Sequence, residues 1–277
     1  MDKQTELKIC ELYKNGVKTK DIYSECHCSS NTVSKILDKY GIPKRQIHNT
    51  KKDLTKLYNL SLPETQYWIG FICADGSINY NENSRIYKVS LFSKDLEVID
   101  KFIKYIGKEN VSTHTRKQNG VHEVYISSKK LCEYFINNLN ITPNKSLTLN
   151  PNIEFTNNFI LGYFDGDGCI RNSSEKQTRY ECNITCGNIK FLEKIKEKLD
   201  EQDIYSCFYK HNDSNAYKLR IDRKEDSKKF YKWLYKDAIV CLSRKLKNFV
   251  ALFGNIENEK LGELQELVGE SAAKLEE

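Results

Sequence analysis

A short motif occurs twice in this chain and limits the folds it can adopt more than any other feature. Residues 68–78 read WIGFICADGSI and residues 159–170 read FILGYFDGDGCI, so each copy is an apolar run with an internal glycine that ends in Asp-Gly. Aligning Asp75 with Asp167 gives an offset of 92 residues, which is the length of a small domain. A motif repeated at that distance indicates two similar halves in one chain.

The segments that follow each copy of the motif are also repeated. KVSLFSKDLEVIDKFIKYI overlays ECNITCGNIKFLEKIKEKL at an offset of 93, which places Leu91 on Ile184, and HEVYISSKK overlays YKLRIDRKE at an offset of 95. Alternating apolar residues predict strands, and apolar residues at helical spacing predict helices between them. The predicted fold is therefore α+β, a pseudo-symmetric duplicated αββαββα arrangement with halves at residues 62–150 and 151–253.

Small residues recur along each motif helix. Gly70 and Ala74 in the first copy, and Gly162 and Gly166 in the second, are four residues apart, so each pair lies on one face of its helix. Faces without large side chains let two backbones approach closely. We therefore expect the two motif helices to pack against each other and to form the seam between the halves.

Each motif helix ends in an aspartate followed by a glycine, Asp75-Gly76 and Asp167-Gly168. The glycines are expected to end the helices in the left-handed conformation. One Asp-Gly is more often only a turn, but two at matching positions predict that the carboxylates meet, where they repel each other at the negative ends of two helix dipoles. A divalent cation such as Mg²⁺ relieves both effects. Paired carboxylates that hold a metal in a basic protein favour phosphodiester cleavage.

A third acid lies in the second motif only. Asp165 is matched by Cys73 in the first copy, so it is not part of the repeated pair. We interpret it as a residue that serves its own helix or supports the two paired acids from behind.

The first 42 residues form a separate helical pattern. Their apolar residues recur at helical spacing and predict three short helices, with Ser29 or Ser30 as the cap of the third. The short link between the second and third helices is typical of a helix-turn-helix. We expect residues 1–42 to be a small all-α DNA-binding domain, with a plain three-helix packing module as the alternative. The expected DNA contacts on the third helix are Ser30, Asn31, Thr32 and Lys35.

Charge and composition favour a nucleic-acid partner. Lys and Arg number 44 against 38 Asp and Glu, for a net charge of +6, and residues 1–253 alone carry +11. A basic body of this kind attracts polyanions. Residues 43–61 are predicted to be a basic linker, and residues 254–277 an acidic helical tail.

The cellular location follows from two further features. No stretch approaches the roughly 20 apolar residues that a membrane span needs, and most cysteines stand singly in apolar runs, which is typical of a reducing compartment. We therefore expect a cytoplasmic protein of bacterial or phage origin that does not bind a membrane.

The two motifs, WIGFICADG and ILGYFDGDG, resemble the LAGLIDADG motif of homing endonucleases, and the similarity extends over residues 62–253. The resemblance implies that the two halves form a saddle of two curved sheets over the major groove of double-stranded DNA. It implies that Asp75 and Asp167 hold Mg²⁺ or another divalent cation such as Mn²⁺. It also implies that the backbone carbonyls of Ala74 and Gly166 can reach that metal.

Members of the family also have basic side chains near their metals, which organise water or support charge in the transition state. By this resemblance Lys145, in PNKSL, and Lys245, in LSRKLKNF, are expected to act beside the two acids. A solvated surface lysine is the alternative at each position.

Alternation along the strands supplies candidate DNA contacts. Lys218 and Arg220 alternate with apolar residues in YKLRID, and Lys88 and Ser90 do so in the first half, so one polar face of each sheet is left free. That face is expected to reach base edges and phosphates. A merely solvated charge is the alternative for any of them. Further candidates are Arg116, Arg171, Arg179 and Lys210.

These features favour a site-specific, metal-dependent DNA endonuclease of homing type. The chain is expected to act as a monomer on a long asymmetric target, because both halves lie in one chain and differ in sequence. Two alternatives stay open. One is a non-cleaving transcriptional regulator with a LAGLIDADG-like domain, and the other is an RNA maturase that binds intron RNA and assists splicing.

Overall fold

The chain divides into two compact units, Met1–Lys51 and Lys52–Glu277. Each has its own apolar core, so each can fold around its own buried side chains. The computed structural model describes residues 1–44, 52–116, 118–172, 180–210 and 215–254.

The N-terminal unit is all-helical, as predicted. Ile9, Ile22 and Val33, one from each helix, are buried in its core. The third helix begins where the hydroxyl of Ser29 accepts a hydrogen bond from the backbone N–H of Thr32, which satisfies one of the free donors at a helix start. The helices are α1 (Lys3–Lys14), α2 (Thr19–Glu25) and α3 (Ser30–Lys39).

The first half of the larger unit is built on a buried helix. Pro63 stands at its first position, where the missing N–H costs nothing. Trp68, Ile69 and Ile72 are each fully buried, because this helix is apolar all round and is surrounded by protein. The elements are α4 (Thr55–Tyr58), α5 (Pro63–Asp75), β1 (Gly76–Asn81), β2 (Ile86–Ser93), α6 (Leu96–Ile106), β3 (Ser112–Arg116), β4 (Val121–Ser127) and α7 (Lys129–Asn137).

The second half repeats this order. Its motif helix begins where the hydroxyl of Thr156 accepts a hydrogen bond from the N–H of Phe159 at 3.2 Å. An additional helix, Ser243–Phe253, follows the repeat and was not predicted from the sequence. The elements are α8 (Asn157–Asp167), β5 (Gly168–Asn172), β6 (Tyr180–Cys186), α9 (Ile189–Asp200), β7 (Cys207–Lys210), β8 (Tyr217–Arg220), α10 (Lys224–Leu234) and α11 (Ser243–Phe253).

Each half contains one four-stranded antiparallel sheet. The strand orders are β1-β2-β4-β3 and β5-β6-β8-β7, so the two sheets have the same topology. One face of each sheet is apolar and buried against the helices, as Val89 and Val124 are in the first half and Ile184 and Leu219 in the second. The opposite face bears mainly polar side chains. The duplicated αββαββα fold predicted from the sequence is confirmed.

No helix in the described part of the chain is long and apolar enough to cross a membrane.

Candidate active site

The two motif helices, α5 and α8, are in backbone-to-backbone contact. A Cβ atom added to Gly70 would lie 2.0 Å from the carbonyl oxygen of Phe159, and one added to Gly162 would lie 1.9 Å from the carbonyl oxygen of Tyr67. Real side chains do not approach so closely, so only glycine fits at either position. The predicted small-faced seam between the halves is confirmed.

The contact continues to the carboxyl ends of both helices. A Cβ atom added to Gly166 would lie 2.3 Å from the Cβ atom of Ala74 and 3.4 Å from a carboxylate oxygen of Asp75. Asp167 is the next residue after Gly166, so both terminal acids stand at the same junction. The seam therefore places the two carboxylates at one end of the helix pair.

The glycines that follow these acids do not adopt the conformation predicted for them. Gly76 has φ −102° and Gly168 has φ −89°, both extended rather than left-handed. The reason is that β1 and β5 begin at these glycines, so the chain passes directly from helix to strand. Glycine is still required for space, because an added Cβ would lie 2.5 Å from the carbonyl oxygen of Ile72 or 2.2 Å from the ring of Phe164.

The two carboxylates are open to solvent on one side and crowded by protein on the other. Partial burial, and then the negative charge of Asp167, raise the pKa of Asp75 to about 6. Partial burial also raises the pKa of Asp167, while a hydrogen bond from Tyr163, and then the charges of Lys145 and Lys245, oppose the rise. The pair therefore concentrates negative charge that the surrounding protein does not fully compensate, which favours binding of a cation.

Lys145 and Lys245 are buried beside the helix ends, at 8 % and 3 % exposure. The Nζ atom of Lys145 donates to the carbonyl oxygen of Gly76 at 2.6 Å, and that of Lys245 donates to the carbonyl oxygen of Gly168 at 2.7 Å. Each ammonium group thus lies at the negative end of a motif helix, where a cation is stabilised. The alternative of a solvated surface lysine is wrong at both positions.

The remaining contacts of the two lysines differ. The Nζ atom of Lys145 lies 3.5 Å from the carbonyl oxygen of Ala74, whereas that of Lys245 donates to the carbonyl oxygen of Phe164. Burial lowers the pKa of Lys145 and lowers that of Lys245 to about 8, an effect that nearby Asp165 opposes. Both positive charges are held in place by the negative groups around them.

The donor atoms at this junction fit a hard divalent cation. Asp75 and Asp167 supply carboxylate oxygens, and the described residues contain no cluster of three or more His, Cys, Asp or Glu side chains that could hold a metal. An ion here would complete its shell with backbone carbonyls, water or phosphate oxygens, which is the usual arrangement for Mg²⁺. Metal binding by the acids and by the carbonyls of Ala74 and Gly166 stays a prediction.

Asp165 lies behind the junction and is 1 % exposed. Its Oδ2 atom accepts hydrogen bonds from the hydroxyl of Tyr67 at 2.9 Å and from the backbone N–H of Leu242 at 2.7 Å. Burial raises the pKa of Asp165 to about 6, and Lys245 is the largest opposing influence. Asp165 therefore contacts the other half of the molecule and the segment that leads into α11, neither of which the sequence identified.

Two of the predicted DNA contacts of the first half lie on the open face of its sheet. The Nζ atom of Lys88 lies 4.1 Å from the ring centre of Tyr125. The guanidinium of Arg116, on the edge strand β3, lies 5.0 Å from the ring centre of Phe92. Both cations rest against aromatic rings, and Arg116 is exposed.

Ser90 does not lie on the surface. It is 3 % exposed and donates to Glu123 at 2.8 Å, so the expectation of a free Ser90 is wrong. Ser90 is on the central strand β2, where longer neighbours such as Tyr125, directly opposite on β4, cover a short side chain. Asn183 repeats this arrangement in the second sheet, at 2 % exposure, and donates to Glu181 at 2.8 Å. The strand alternation that identified the cations also places both glutamates on the open faces, and sequence reasoning missed them.

Glu181 pairs with two of the cationic side chains predicted to contact DNA in the second half. Its carboxylate forms an ion pair with Arg171 at 2.6 Å and lies 3.5 Å from the Nζ atom of Lys218. Arg179 lies outside the described residues. The acid holds the two cations in fixed positions on the open face of the sheet.

Of two further candidates, Arg220 lies on the inner strand β8 and Lys210 on the outer strand β7 of this sheet. The guanidinium of Arg220 is 2.9 Å from a carboxylate oxygen of Asp222, and the Nζ atom of Lys210 lies 4.9 Å from the ring centre of Tyr217. Arg220 shares the open face with Lys218, whereas Lys210 is opposite Tyr217 and so lies on the side of Leu219, at the edge of the apolar face. The other DNA-binding candidates described on the sheets lie on the open faces, and the catalytic candidates meet at the helix ends.

Three of the four candidates of the N-terminal unit lie in the first turn of α3, and Lys35 lies in the middle of that helix. Ser30, Asn31 and Lys35 are exposed. Thr32 is half-buried, and its hydroxyl is 2.9 Å from that of Ser29, so it forms part of the helix cap. Contact of these residues with DNA stays a prediction.

Three solved structures are similar in overall arrangement at low identity. Variants of the homing endonuclease I-DmoI give a TM-score of 0.45 at 19% identity, covering 62% of this chain and 95% of that chain. I-DmoI in complex with DNA and Mn gives 0.46 at 20% identity, covering 64% and 98%. The meganuclease I-SmaMI bound to uncleaveable DNA gives 0.48 at 16% identity, covering 73% and 97%. No curated protein is similar enough to the chain to match it.

The family is identified by sequence rather than by these likenesses. The sequence model of the LAGLIDADG-like domain matches residues 63–140 and again residues 154–234, which together make up more than half of the chain. The two matches begin with α5 and near the start of α8, the helices that end in Asp75 and Asp167. The chain therefore belongs to the family of LAGLIDADG-like domains and contains two copies of that domain.

Proposed function

We propose that this protein is a site-specific, divalent-metal-dependent endonuclease that cuts both strands of duplex DNA. One observation supports this most strongly. Two carboxylates, Asp75 and Asp167, stand together at the ends of two helices in backbone contact, and their pKa values are raised by crowding. A protein gains nothing in stability from such a pair, so its presence is best explained by a bound cation.

The residues at the junction have distinct roles in this proposal. Asp75 and Asp167 would hold Mg²⁺ or Mn²⁺ together with the carbonyl oxygens of Ala74 and Gly166. A metal in this position supplies an activated water and stabilises charge on the phosphate oxygens.

Lys145 and Lys245 keep a positive charge at the end of each motif helix. By donating to Gly76 and Gly168, they also fix the residues that follow the two acids, and so hold the carboxylates in position.

Binding would use the open faces of the two sheets. Glu181 fixes Arg171 and Lys218 before DNA arrives, which reduces the entropy lost when they contact a base or phosphate. The two faces differ in sequence, so the proposed target is asymmetric, and one chain suffices because it contains both halves. The remaining proposed contacts on the sheets are Lys88, Arg116, Lys210 and Arg220, with Arg179 in addition.

The N-terminal unit is proposed to bind DNA separately. Asn31 and Lys35 are exposed near the start of α3, where a recognition helix contacts base edges. A second contact of this kind would lengthen the target or speed the search for it.

The same unit favours one alternative function. A transcriptional regulator that binds through α3 would need no cleavage, and exposed Asn31 and Lys35 suit that use. The two buried lysines argue against it, because a binding protein has no need to bury cations beside paired acids at 8 % and 3 % exposure.

The test is cleavage of duplex DNA that joins the two sequences flanking the gene, with Mg²⁺ or with EDTA. We expect a discrete double-strand cut in Mg²⁺ only. Asp75→Asn and Asp167→Asn should each slow it by at least about 1000-fold with little change in DNA binding, because asparagine keeps the shape and removes the charge. Asp100→Asn, an exposed acid on α6, is the matched control and should cut normally.

Two results would change the assignment. Cutting retained by both Asp75→Asn and Asp167→Asn would exclude these acids as the metal site. Tight, specific binding with no cut in Mg²⁺ or Mn²⁺ would favour the regulator.

A further inference from the structure

Asp165 connects three segments that otherwise belong to different parts of the larger unit. It lies on α8 and is buried at 1 % exposure. Through Oδ2 it accepts the hydroxyl of Tyr67, on α5, at 2.9 Å and the backbone N–H of Leu242 at 2.7 Å. Leu242 is the residue at the start of α11, immediately before its first turn.

The helix that begins at Leu242 also bears the second buried lysine. Lys245 is the third residue of α11, and its Nζ atom donates to the carbonyl oxygens of Phe164 and Gly168 at the end of α8. The distance along the helix from Leu242 to Lys245 is less than one turn. Fixing the backbone at Leu242 therefore fixes where the Lys245 side chain starts.

The first half places its lysine differently. The residue that matches Asp165 is Cys73, a buried thiol without charge. Lys145 lies in a short 3-10 turn that follows Asn144, whose backbone is left-handed at φ 57°. The first lysine is thus placed by its own backbone turn, and the second by an acid of the motif helix.

Burying a carboxylate is unfavourable in free energy, so its presence at this position needs an explanation. Removing a carboxylate from water costs several kcal/mol unless it is compensated. Here two hydrogen bonds and the positive charge of Lys245 provide compensation, but none of the described residues is a hydrogen-bond partner of the Oδ1 atom. Nor does α11 have a side-chain cap of its own at Leu242, so Asp165 supplies the acceptor that its start would otherwise lack.

We propose that Asp165 is a positioning residue, which anchors the start of α11 to the seam and thereby places Lys245 at the end of the second motif helix. The proposal rests on the proposed endonuclease function for its consequence in cleavage, but its structural part does not. It predicts that the two halves depend differently on one buried acid. Loss of Asp165 should impair the half that uses Lys245 and leave the Lys145 half intact.

Three variants separate the possible causes. Asp165→Asn keeps an oxygen in the place of Oδ2, so it can retain both hydrogen bonds while it loses the charge. Asp165→Ala loses both bonds, and Tyr67→Phe loses only the bond from α5. Asp226→Ala is the matched control, because Asp226 is also a buried acid of the second half that accepts a backbone N–H, from Tyr205 at 3.2 Å.

The structural part is tested first, by amide hydrogen exchange on the full-length protein without DNA or metal. Asp165→Ala should raise the exchange rate of the first turn of α11 by about tenfold relative to α7, which lies in the other half. Asp165→Asn and Tyr67→Phe should change it by less than about threefold. Asp226→Ala should leave α11 unchanged. Equal protection of α11 in Asp165→Ala and the unaltered protein would overturn the proposal.

The functional part is tested by strand-resolved cleavage in Mg²⁺, with each strand labelled separately. Asp165→Ala should slow the cut of one strand by about tenfold more than that of the other, so that nicked DNA accumulates, while DNA affinity is unchanged. An equal slowing of both strands would mean a general structural role and would overturn the proposal. If Asp165→Ala fails to fold, the other two variants decide. Tyr67→Phe, which loses one hydrogen bond of Asp165, should slow one strand by up to about threefold more than the other, and Asp165→Asn, which can keep both bonds, should show a smaller difference. Equal slowing of both strands in Tyr67→Phe would overturn the proposal.

The two hypotheses fail in distinguishable ways. If the unaltered protein does not cut DNA at all, the endonuclease proposal is wrong, and the exchange experiment still decides the role of Asp165. If it cuts both strands and α11 is equally protected in every variant, the endonuclease stands and the positioning role is wrong.

Discussion

The two halves of the larger unit place the same pair of charges by different local structures. In the first half Asp75 ends α5 and Lys145 comes from a 3-10 turn. In the second, Asp167 ends α8 and Lys245 comes from a regular helix. The acids are 92 residues apart and the lysines 100, so the chain between acid and lysine is longer in the second half. Even so, both ammonium groups reach the carbonyl of the glycine after the motif, at 2.6 and 2.7 Å.

This comparison shows that the repeated feature is the position of the cation and not the secondary structure that delivers it. A motif helix that ends in a carboxylate has an unfavourable negative end. An ammonium group that donates to the carbonyl oxygen of the glycine after the motif offsets that cost, whichever type of element carries the lysine.

A second difference lies in the seam itself. The first copy has Ala74 where the second has Gly166, and an added Cβ on Gly166 would lie 2.3 Å from that of Ala74. At this level of the seam only the methyl group of Ala74 lies between the two helices. One turn earlier, at Gly70 and Gly162, no side chain lies between them.

The largest effect is expected where the backbones touch. Gly162→Ala would put a Cβ 1.9 Å from the carbonyl oxygen of Tyr67, and neither backbone can move without separating the halves. We expect a loss of about 3 kcal/mol or more in the free energy of unfolding, measured by urea denaturation. A loss below about 1 kcal/mol would mean that the seam is looser than its geometry indicates.

A compensating exchange sharpens this prediction. Gly166→Ala alone should cost about 1–3 kcal/mol, because its new methyl group meets that of Ala74. The double variant Gly166→Ala with Ala74→Gly moves the single methyl group to the other helix and should recover most of the loss. Additive losses in the double variant would contradict the packing described for this level.

The lysines are expected to be equivalent in function despite their different local structures. Lys145→Met and Lys245→Met keep the length of the side chain and remove its charge. Each should slow DNA cleavage by about 100-fold, or about 2.7 kcal/mol in the barrier, in single-turnover kinetics with saturating enzyme. Normal cleavage by either variant would show that its half does not use the lysine.

The paired acids should destabilise the protein when no metal is bound. Because the pKa of Asp75 is raised to about 6, the folded state binds its proton more tightly than the unfolded state, and stability is lost as pH rises from about 4 through 6. At pH 7 in EDTA, Asp75→Asn should therefore be more stable. We expect about 1 kcal/mol, discounted because the side chain is open to solvent, and a melting temperature higher by about 2–4 °C.

The same comparison of Asp75→Asn with the unaltered protein at low pH is the control for this stability gain. The gain should disappear at about pH 3, below the pKa of this carboxyl group in the unfolded state, where both states carry it protonated. A lower melting temperature for Asp75→Asn at pH 7 would contradict the proposed repulsion between Asp75 and Asp167.

The smallest effects are expected on the open faces of the sheets. Arg116 rests on a ring, whereas Arg171 is held by Glu181. If both contact phosphates, Arg116→Ala should lower the salt dependence of DNA binding by about 1 in slope, and Arg171→Ala by less, because its charge is already partly compensated. Titrations at several salt concentrations would measure both, and a larger effect for Arg171→Ala would reverse this ranking.

The order of helices and strands was predictable because it depends on local periodicity, and the seam because small residues recur at helical spacing. The conformation of Gly76 was not predictable, since Asp-Gly suits both a left-handed helix end and a direct passage into a strand. Pairing of Gly76 with Leu91 on β2 selects the second. Ser90 was placed on the correct face, but its burial depends on what lies beside it across the sheet.

Local patterns in the chain were thus sufficient to specify two similar halves, a small-faced helix in each, and an acid at the end of each helix. Resemblance to the family, and not a local pattern, placed Lys145 and Lys245 beside those acids, and only the tertiary structure gave their burial and their bonds to the helix ends. Lys145 is 69 residues from Gly76, and Lys245 is 77 residues from Gly168. Asp165 is 77 residues from Leu242. Contacts over such separations leave no periodic trace in a sequence, because they depend on how whole elements pack rather than on the spacing of neighbouring residues.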